Sequence, residues 1–407
     1  MEKIEGGVTA AKGFLATATA AEIKYKNRDD MALVYSEVPA KVAGVFTRNA
    51  VKAAPVKWDM NIVTKEEVAQ AVVLNSGIAN AGTGSEGDKV NEAMAQQVAD
   101  ALQIPLSSVL TASTGVIGVQ IPVDRAQKGI ADMAGNLSDS LEAGNRAAKA
   151  IMTTDTICKE CAIEFTIQDT TVTIGGMSKG SGMIHPDMAT MLCVITTDIA
   201  ISKELLQEAV KADVKDSFNM ISVDRDTSTN DSMIVLANGK AGNVEITTKG
   251  QEYDSFCEAL AMVTKTLAKM MAGDGEGATK LLEAKVINAK SKEDAIVLSK
   301  SVITSNLVKT AVYGSDANWG RILCALGYAG VEFNPDIVDI YIESEEKRIK
   351  LCENGLATDY SEEEATKILS AKEVTVIADM KDGKASATAW GCDLTYDYVK
   401  INGDYRS

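Results

Sequence analysis

The sequence predicts a mixed α/β (α+β) protein, on three observations. Short apolar runs of strand length alternate along the chain with longer amphipathic segments of helical period. No low-complexity linker interrupts the alternation, and no internal repeat is visible. From about Lys280 the pattern restarts, which puts a smaller α+β part, about residues 280–407, behind a larger one. A chain of 407 residues suits two or three domains, or one large domain with a smaller one attached. It can bury a large core without a staple.

In chain order, the apolar, β-branched runs Met31–Ser36, Val42–Thr47, Gln70–Leu74 and Ser108–Ala112 are expected as strands. Apolar residues at helical spacing predict helices over Lys89–Leu102, Arg125–Ala134 and Ser138–Ala150. Ala162–Ile167 and Thr171–Ile174 alternate and are joined by "QDT", the mark of a hairpin. Strand Met191–Thr196, helix Lys203–Lys215, strand Ser232–Ala237 and a long helix over Gln251–Met271 follow. The restarted pattern holds strand "LLEAKVINA", helices near Lys292–Ser305 and Trp319–Gly327, and strand "IVDIYI". Helix Ser361–Leu369 and strands "EVTVIADM" and "SATAWGCDLTYDYV" complete it.

Composition removes several classes of function. The chain is 46% hydrophobic and 24% charged, as in an ordinary globular protein. Asp and Glu number 57 against 41 Lys and Arg, and a net charge of −16 disfavours nucleic acid and anionic membranes as partners. No apolar run approaches the roughly 18 residues of a membrane span, and "MEKIEGGVTAAKGF" has no secretory h-region. Seven scattered cysteines suit free thiols in a reducing cytosol, so a cytoplasmic protein is expected. The single histidine rules out a His-rich metal site, and no spacing proposes a carboxylate one.

Four short motifs carry candidate chemistry. "GDGEGATK", Gly273–Lys280, misses the phosphate-loop spacing and follows a helix, so it reads as a turn carrying Glu276. "CKEC", Cys158–Cys161, has no second pair for zinc and enters a strand, so its thiols read as structural. "TASTGVIG" places Thr114 and Gly115 directly after a strand. That is either a plain turn or an oxyanion hole, made by a backbone N–H beside glycine and a threonine hydroxyl. "TTDT", Thr153–Thr156, is a hydroxyl cluster whose ordinary reading is a helix end.

The fullest signal is "KGSGMIHPDMATMLCVITTD", Lys179–Asp198, where glycines and proline lead into an apolar run. A mid-chain threonine hydroxyl needs a base, and His185 is the only imidazole. The alternative is scission of the Ala189–Thr190 peptide. Thr190 would then carry its own α-amino base, with a pKa of about 8, held permanently beside the hydroxyl it serves. The residue types leave both readings open.

Lys179–Ile184, Pro186 and Met188–Leu192 resemble the self-cleaving signature of the ornithine acetyltransferase (glutamate N-acetyltransferase) family. "GGVTAAKGF", "VFTRNAVKAAPV", "NSGIANAGTG", "STGVIG", "TTDT", "STND", "MAGDGEGATK", "NWGRI" and "AWGCDLTYDYVKINGDYRS" are similar to family blocks in the same order. The resemblance implies a layered α-β-β-α sandwich of the self-cleaving N-terminal-nucleophile type with a smaller C-terminal part. It implies an α chain of residues 1–189 and a β chain of 190–407, assembled as α2β2. Thr190 is then the nucleophile and new N-terminus. Thr114 and Gly115 form the oxyanion hole, and Thr153 (rather than Thr154), Lys179, Thr190, Glu276, Asn402 and Ser407 contact substrate. The implied reaction is ping-pong acetyl transfer from N2-acetyl-L-ornithine to L-glutamate in cyclic arginine biosynthesis, with neither metal nor organic cofactor. Whether acetyl-CoA also serves as donor stays open.

Three positions depart from the family pattern: Ala317 where proline is usual, Arg225 where glycine is common, and Gly82 for a frequent cysteine. Two rival readings remain, a self-cleaving amidase or aminopeptidase on a related fold, and an uncut amino-acid-binding protein. "KGSGMIHPDMATML" together with "INGDYRS" favours the transferase.

Overall fold

The computed structural model describes residues 1–185, 191–345 and 347–404. Ala189, Thr190 and Ser407, three of the expected site residues, lie outside the described residues. Internal contacts divide the chain into two units. One comprises Met1–Gly180, Pro186–Asn219 and Thr227–Leu267; the other comprises Ser181–His185, Met220–Asp226 and Ala268–Ser407.

The first unit is built on a nine-stranded sheet among the described residues. Across it run Glu2–Ile4, Lys159–Ile167, Thr170–Lys179, Leu192–Thr197, Ser232–Ala237, Met31–Phe46, Val68–Asn75 and Val109–Ser113, with Phe14–Thr19 paired beside Met31–Phe46. Two neighbouring pairs are parallel, Leu192–Thr197 with Ser232–Ala237 and Val68–Asn75 with Val109–Ser113. The expected hairpin is present, as Lys159–Ile167 against Thr170–Lys179.

Side chains of period two divide the sheet's residues between two cores. Ala32, Val34, Val72, Leu74, Leu110 and Ala112 pack with Ala147, Ala148 and Ala150 of helix Leu141–Ala150. Met31, Leu33, Ala71, Val73 and Val109 pack with helices Gly84–Leu102, through Val90, Met94 and Val98, and Val123–Ala134, through Ala126, Ile130 and Met133. Burial on both faces is why these strands read as unbroken apolar runs. Each fully buried aliphatic side chain contributes about 1.5–3 kcal/mol.

Several expectations are corrected here. Met31–Ser36 and Val42–Thr47 are one 16-residue strand, Met31–Phe46. A register shift against Val68–Asn75 between Tyr35 and Ala40 lets Glu37 and Pro39 stay exposed without ending the strand. Strand Phe14–Thr19 and helix Ala54–Lys65 went unread. The helix buries Val56, Asp59, Ile62 and Val63, and an acid in mid-stripe conceals the apolar period.

The second unit carries a seven-stranded sheet among the described residues, in the order Leu356–Ala357, Lys347–Glu353, Asp339–Ser344, Glu373–Asp379, Leu281–Ala289, Ala385–Cys392 and Ile221–Ser222. The run expected as one strand, "SATAWGCDLTYDYV", ends at Cys392. Tyr396–Gly403 is a helix, capped by the Thr395 hydroxyl accepting from the Tyr398 N–H at 3.3 Å. None of that helix's residues is buried, so no helical stripe of apolar residues was required and the alternation misled. Near Lys292–Ser305 there are two helices, Lys292–Thr304 and Asn306–Tyr313, because Ser305 ends the first and N-caps the second. Among the described residues no single helix is long and apolar enough to cross a membrane.

Candidate active site

In the first unit, strand Val109–Ser113 ends in a turn tied to the neighbouring loop. The Thr114 N–H donates to the Asn75 carbonyl and the Val116 N–H to the Gly77 carbonyl, both at 3.0 Å. Gly115 lies at φ +130°, and a Cβ there would sit 2.2 Å from the Gly77 carbonyl carbon. Only glycine fits.

Lys179 is the last residue of strand Thr170–Lys179. Its Nζ donates to Thr153 Oγ1 at 2.9 Å and to Thr114 Oγ1 at 3.5 Å. Three residues picked from three distant stretches of sequence therefore meet around one ammonium group. Of the pair Thr153 and Thr154, it is the Thr153 hydroxyl that Lys179 meets at 2.9 Å.

Sequence reasoning gave no role to Asp155, which organises this cluster. Its side chain is wholly buried, and it accepts from Lys159 Nζ at 2.7 Å, the Gly180 N–H at 2.7 Å and the Thr153 N–H at 3.0 Å. Lys179 Nζ lies 3.7 Å from its second oxygen. Burial acts to raise this carboxyl, but Lys179, Lys159 and the Gly180 N–H outweigh it and hold it well below the usual carboxylate range. The available signal was an acid inside a hydroxyl cluster with a lysine four residues on, in "TTDTICK".

In the second unit, Asn402 Nδ2 donates to Glu276 Oε2 at 2.8 Å, and the Glu276 N–H donates to the Ser181 carbonyl at 2.8 Å. A Cβ on Gly182 would come within 2.3 Å of Glu276 Oε2, so the chain passes the carboxylate only because it lacks a side chain there. Asp224 fixes the same segment by accepting from the N–H groups of Met183 at 2.7 Å and Ile184 at 2.9 Å. The expected substrate contacts thus fall into two groups: Thr114, Thr153 and Lys179 in one unit, Glu276 and Asn402 in the other.

His185 Nδ1 lies 3.0 Å from Ser222 Oγ, which in turn donates to the Ile184 carbonyl at 3.3 Å. This arrangement serves the segment's own conformation. His185→Gln, checked first for complete chain cleavage, should keep kcat within about threefold of wild type. A role as general base would instead cost roughly 10²-fold or more.

The departures behave differently. Gly82 sits at φ +65°, where glycine is at ease, and Ala317 is buried at 5% exposure. Arg225 is held at φ +71°, a left-handed conformation that burdens any residue with a Cβ by roughly 1–2 kcal/mol. Part of that is offset by the greater freedom glycine loses on folding, so Arg225→Gly should raise stability by about 0.5–1 kcal/mol. A urea midpoint that falls in the variant would contradict this.

The "CKEC" thiols stay structural. Burial, with Glu160 next, pushes the Cys158 thiol up to about 12, and burial also raises Cys161. Neither is poised as a thiolate. "GDGEGATK" follows helix Gln251–Gly273 and turns at Gly277, φ +70°. Among the described residues no cluster of three or more His, Cys, Asp or Glu is arranged to hold a metal.

Comparison with known proteins gives the family. The profile of the ArgJ family matches residues 15–407. The Arginine biosynthesis bifunctional protein ArgJ of Caldanaerobacter subterraneus is 51% identical over 407 residues, covering 100% of both chains. The Arginine biosynthesis bifunctional protein ArgJ 1 of Clostridium acetobutylicum is 51% identical over 400 residues, 98% of this chain and 97% of that one. Among solved structures, the ornithine acetyltransferase complexed with ornithine from Mycobacterium tuberculosis has 42% sequence identity, covers 46% of this chain and 99% of its own, and gives a TM-score of 0.44. With the family profile matched from residue 15 to 407 and half of all residues identical to curated members, the chain belongs to the ArgJ family.

Proposed function

We propose that the chain is an acyltransferase of arginine biosynthesis that moves the acetyl group from N2-acetyl-L-ornithine to L-glutamate through an acetyl ester on Thr190. The observation that carries the reading is the Lys179 ammonium held by the hydroxyls of Thr153 and Thr114. Donor and acceptor are both α-amino-acid derivatives with a carboxylate, and a nearly buried ammonium flanked by hydroxyls suits that group.

In this reading, scission of the Ala189–Thr190 peptide yields an α chain of residues 1–189 and a β chain of 190–407. The freed α-amino group takes the proton of the Thr190 hydroxyl as the oxygen attacks the acetyl carbonyl. The Thr114 hydroxyl and the Gly115 N–H donate to the oxyanion. The amide C–N bond breaks, ornithine leaves with the proton, and the glutamate amine then attacks the ester to give N-acetylglutamate and restore Thr190. Glu276 meets a substrate ammonium group, with Asn402 and the terminal Ser407 as further contacts. The word "bifunctional" in the relatives' names supports acetyl-CoA as a second donor. An α2β2 assembly and a cytoplasmic location complete the proposal.

The test is an acetyl-transfer assay on purified protein with each donor supplied separately. Acetylornithine with glutamate should give ornithine and acetylglutamate in equal amounts, and acetyl-CoA with glutamate should release free CoA. Acetate and ornithine appearing without acetylglutamate would make the protein a hydrolase. An intact chain that binds amino acids but transfers nothing would make it a binding protein.

A further inference from the structure

Two asparagines with no part in the reaction as described grip the peptide that precedes the proposed oxyanion donors. The Ser113–Thr114 peptide is held at both ends: its carbonyl accepts from Asn230 Nδ2 at 2.8 Å, and its N–H donates to the Asn75 carbonyl at 3.0 Å. The same Asn230 Nδ2 donates to the Ala79 carbonyl at 2.6 Å, so one amide group ties the Ser113–Thr114 turn to the loop it packs against. Those two carbonyls can only accept, which fixes which way the amide faces, and Asn230 Oδ1 then accepts from the Thr229 hydroxyl at 2.6 Å. Asn75 completes the brace. Its Nδ2 donates to the Ile78 carbonyl at 2.9 Å, and its Oδ1 accepts from the Ser113 hydroxyl at 2.6 Å.

These groups are buried, with Asn75 at 0%, Ser113 at 2% and Asn230 at 6% exposure, so each lost bond would leave a polar group without water. With the Ser113–Thr114 plane pinned and the Val116 N–H held by the Gly77 carbonyl at 3.0 Å on the far side of the turn, little freedom is left in the next plane between them. That next plane carries the Gly115 N–H, and Thr114 between the two planes carries the hydroxyl. An oxyanion donor is effective only if it is aimed before charge develops.

We propose that Asn230, acting with Asn75 and Ser113, is a positioning residue for acyl transfer that aims Thr114 Oγ1 and the Gly115 N–H at the developing oxyanion. The inference rests on the reading of Thr114 and Gly115 as oxyanion donors. Asn230 touches no substrate. Its effect passes through the turn, so its loss should appear in kcat and depend on whether the turn still has its hydroxyl to aim.

The experiment is a double-mutant cycle on kcat, measured on fully cleaved enzyme with acetylornithine and glutamate. Asn230→Ala should lower kcat about 10- to 100-fold, less than outright loss of a donor, with KM for acetylornithine within about twofold. In a Thr114→Ala background the same substitution should cost clearly less than in wild type, because only the Gly115 N–H is then left to aim. A purely structural role would move the thermal midpoint and give the same fold-loss of kcat in both backgrounds, which would overturn the inference. If Thr114→Ala itself leaves kcat unchanged, the oxyanion reading fails instead. Should Asn230→Ala not fold, Ser113→Ala removes only one hydroxyl of the brace and should lower kcat about 5- to 10-fold with the same non-additivity. Unchanged kcat in that variant would overturn the inference equally.

Discussion

Thr190→Ala is expected to remain one chain of 43.1 kDa and to lose acetyl transfer by about 10³-fold or more, where the wild type should run as two bands. Scaled by chain length, the proposed scission before Thr190, by attack of its own hydroxyl on the preceding carbonyl, would give pieces of about 20 and 23 kDa. Alanine removes the attacking oxygen and the acetyl acceptor together, so one substitution abolishes both events. Thr190→Ser keeps the oxygen and should still cut and still transfer. Denaturing gels and an ornithine-release assay on all three proteins decide the matter. An active wild-type preparation that shows a single uncut band would end the proposal.

The second large effect is on stability. Asp155→Ala takes the carboxylate from a wholly buried ammonium, Lys159, and removes the acceptor of the Gly180 N–H. Breaking a buried pair by deleting one partner costs about 3–5 kcal/mol. Because the Asp155 carboxyl is held below its ordinary range in the folded protein, its contribution is fully present above the unfolded value of about 3.9. It is lost only as pH falls from there through the folded value. The urea-midpoint gap between wild type and Asp155→Asn should therefore be constant from pH 5 to 8 and shrink in stronger acid. A gap that varies between pH 5 and 8 would mean that another group holds the two lysines. Lys179 loses an anchor in the same variant, so acetyl transfer should fall in whatever protein remains folded.

The legible parts of this molecule are those that leave a local mark. Val72, Val73 and Leu74 signal a strand buried on both faces by apolar character alone. Gly115 and Gly182 mark places where backbone must approach backbone or a carboxylate. Buried polar groups leave no such mark. Asn75 and Asn230 act through groups 38 and 117 residues away, or through carbonyls whose residue type is irrelevant, and no spacing encodes that, while Asp155 shows only the lysine four residues on. Asp59 shows the same effect in reverse: its carboxyl, raised by burial and held by the Thr111 N–H at 2.8 Å, spoils the apolar period of helix Ala54–Lys65. Tyr396–Gly403 was misread because a helix with no buried residue owes nothing to helical periodicity.

The strand order of the nine-stranded sheet governs what a cut before Thr190 would mean. Leu192–Thr197 and Ser232–Ala237 come from the downstream piece, yet they lie side by side between Thr170–Lys179 and Met31–Phe46 of the upstream piece. The downstream piece is a graft set into its sibling's pleat, hydrogen-bonded along both seams. Neither fragment could be drawn away from the other without unzipping the middle of the sheet. The severed first unit would therefore stay one thermodynamic body, melting as one. The pieces would be inseparable heirs of a chain that had to finish folding before it could be divided.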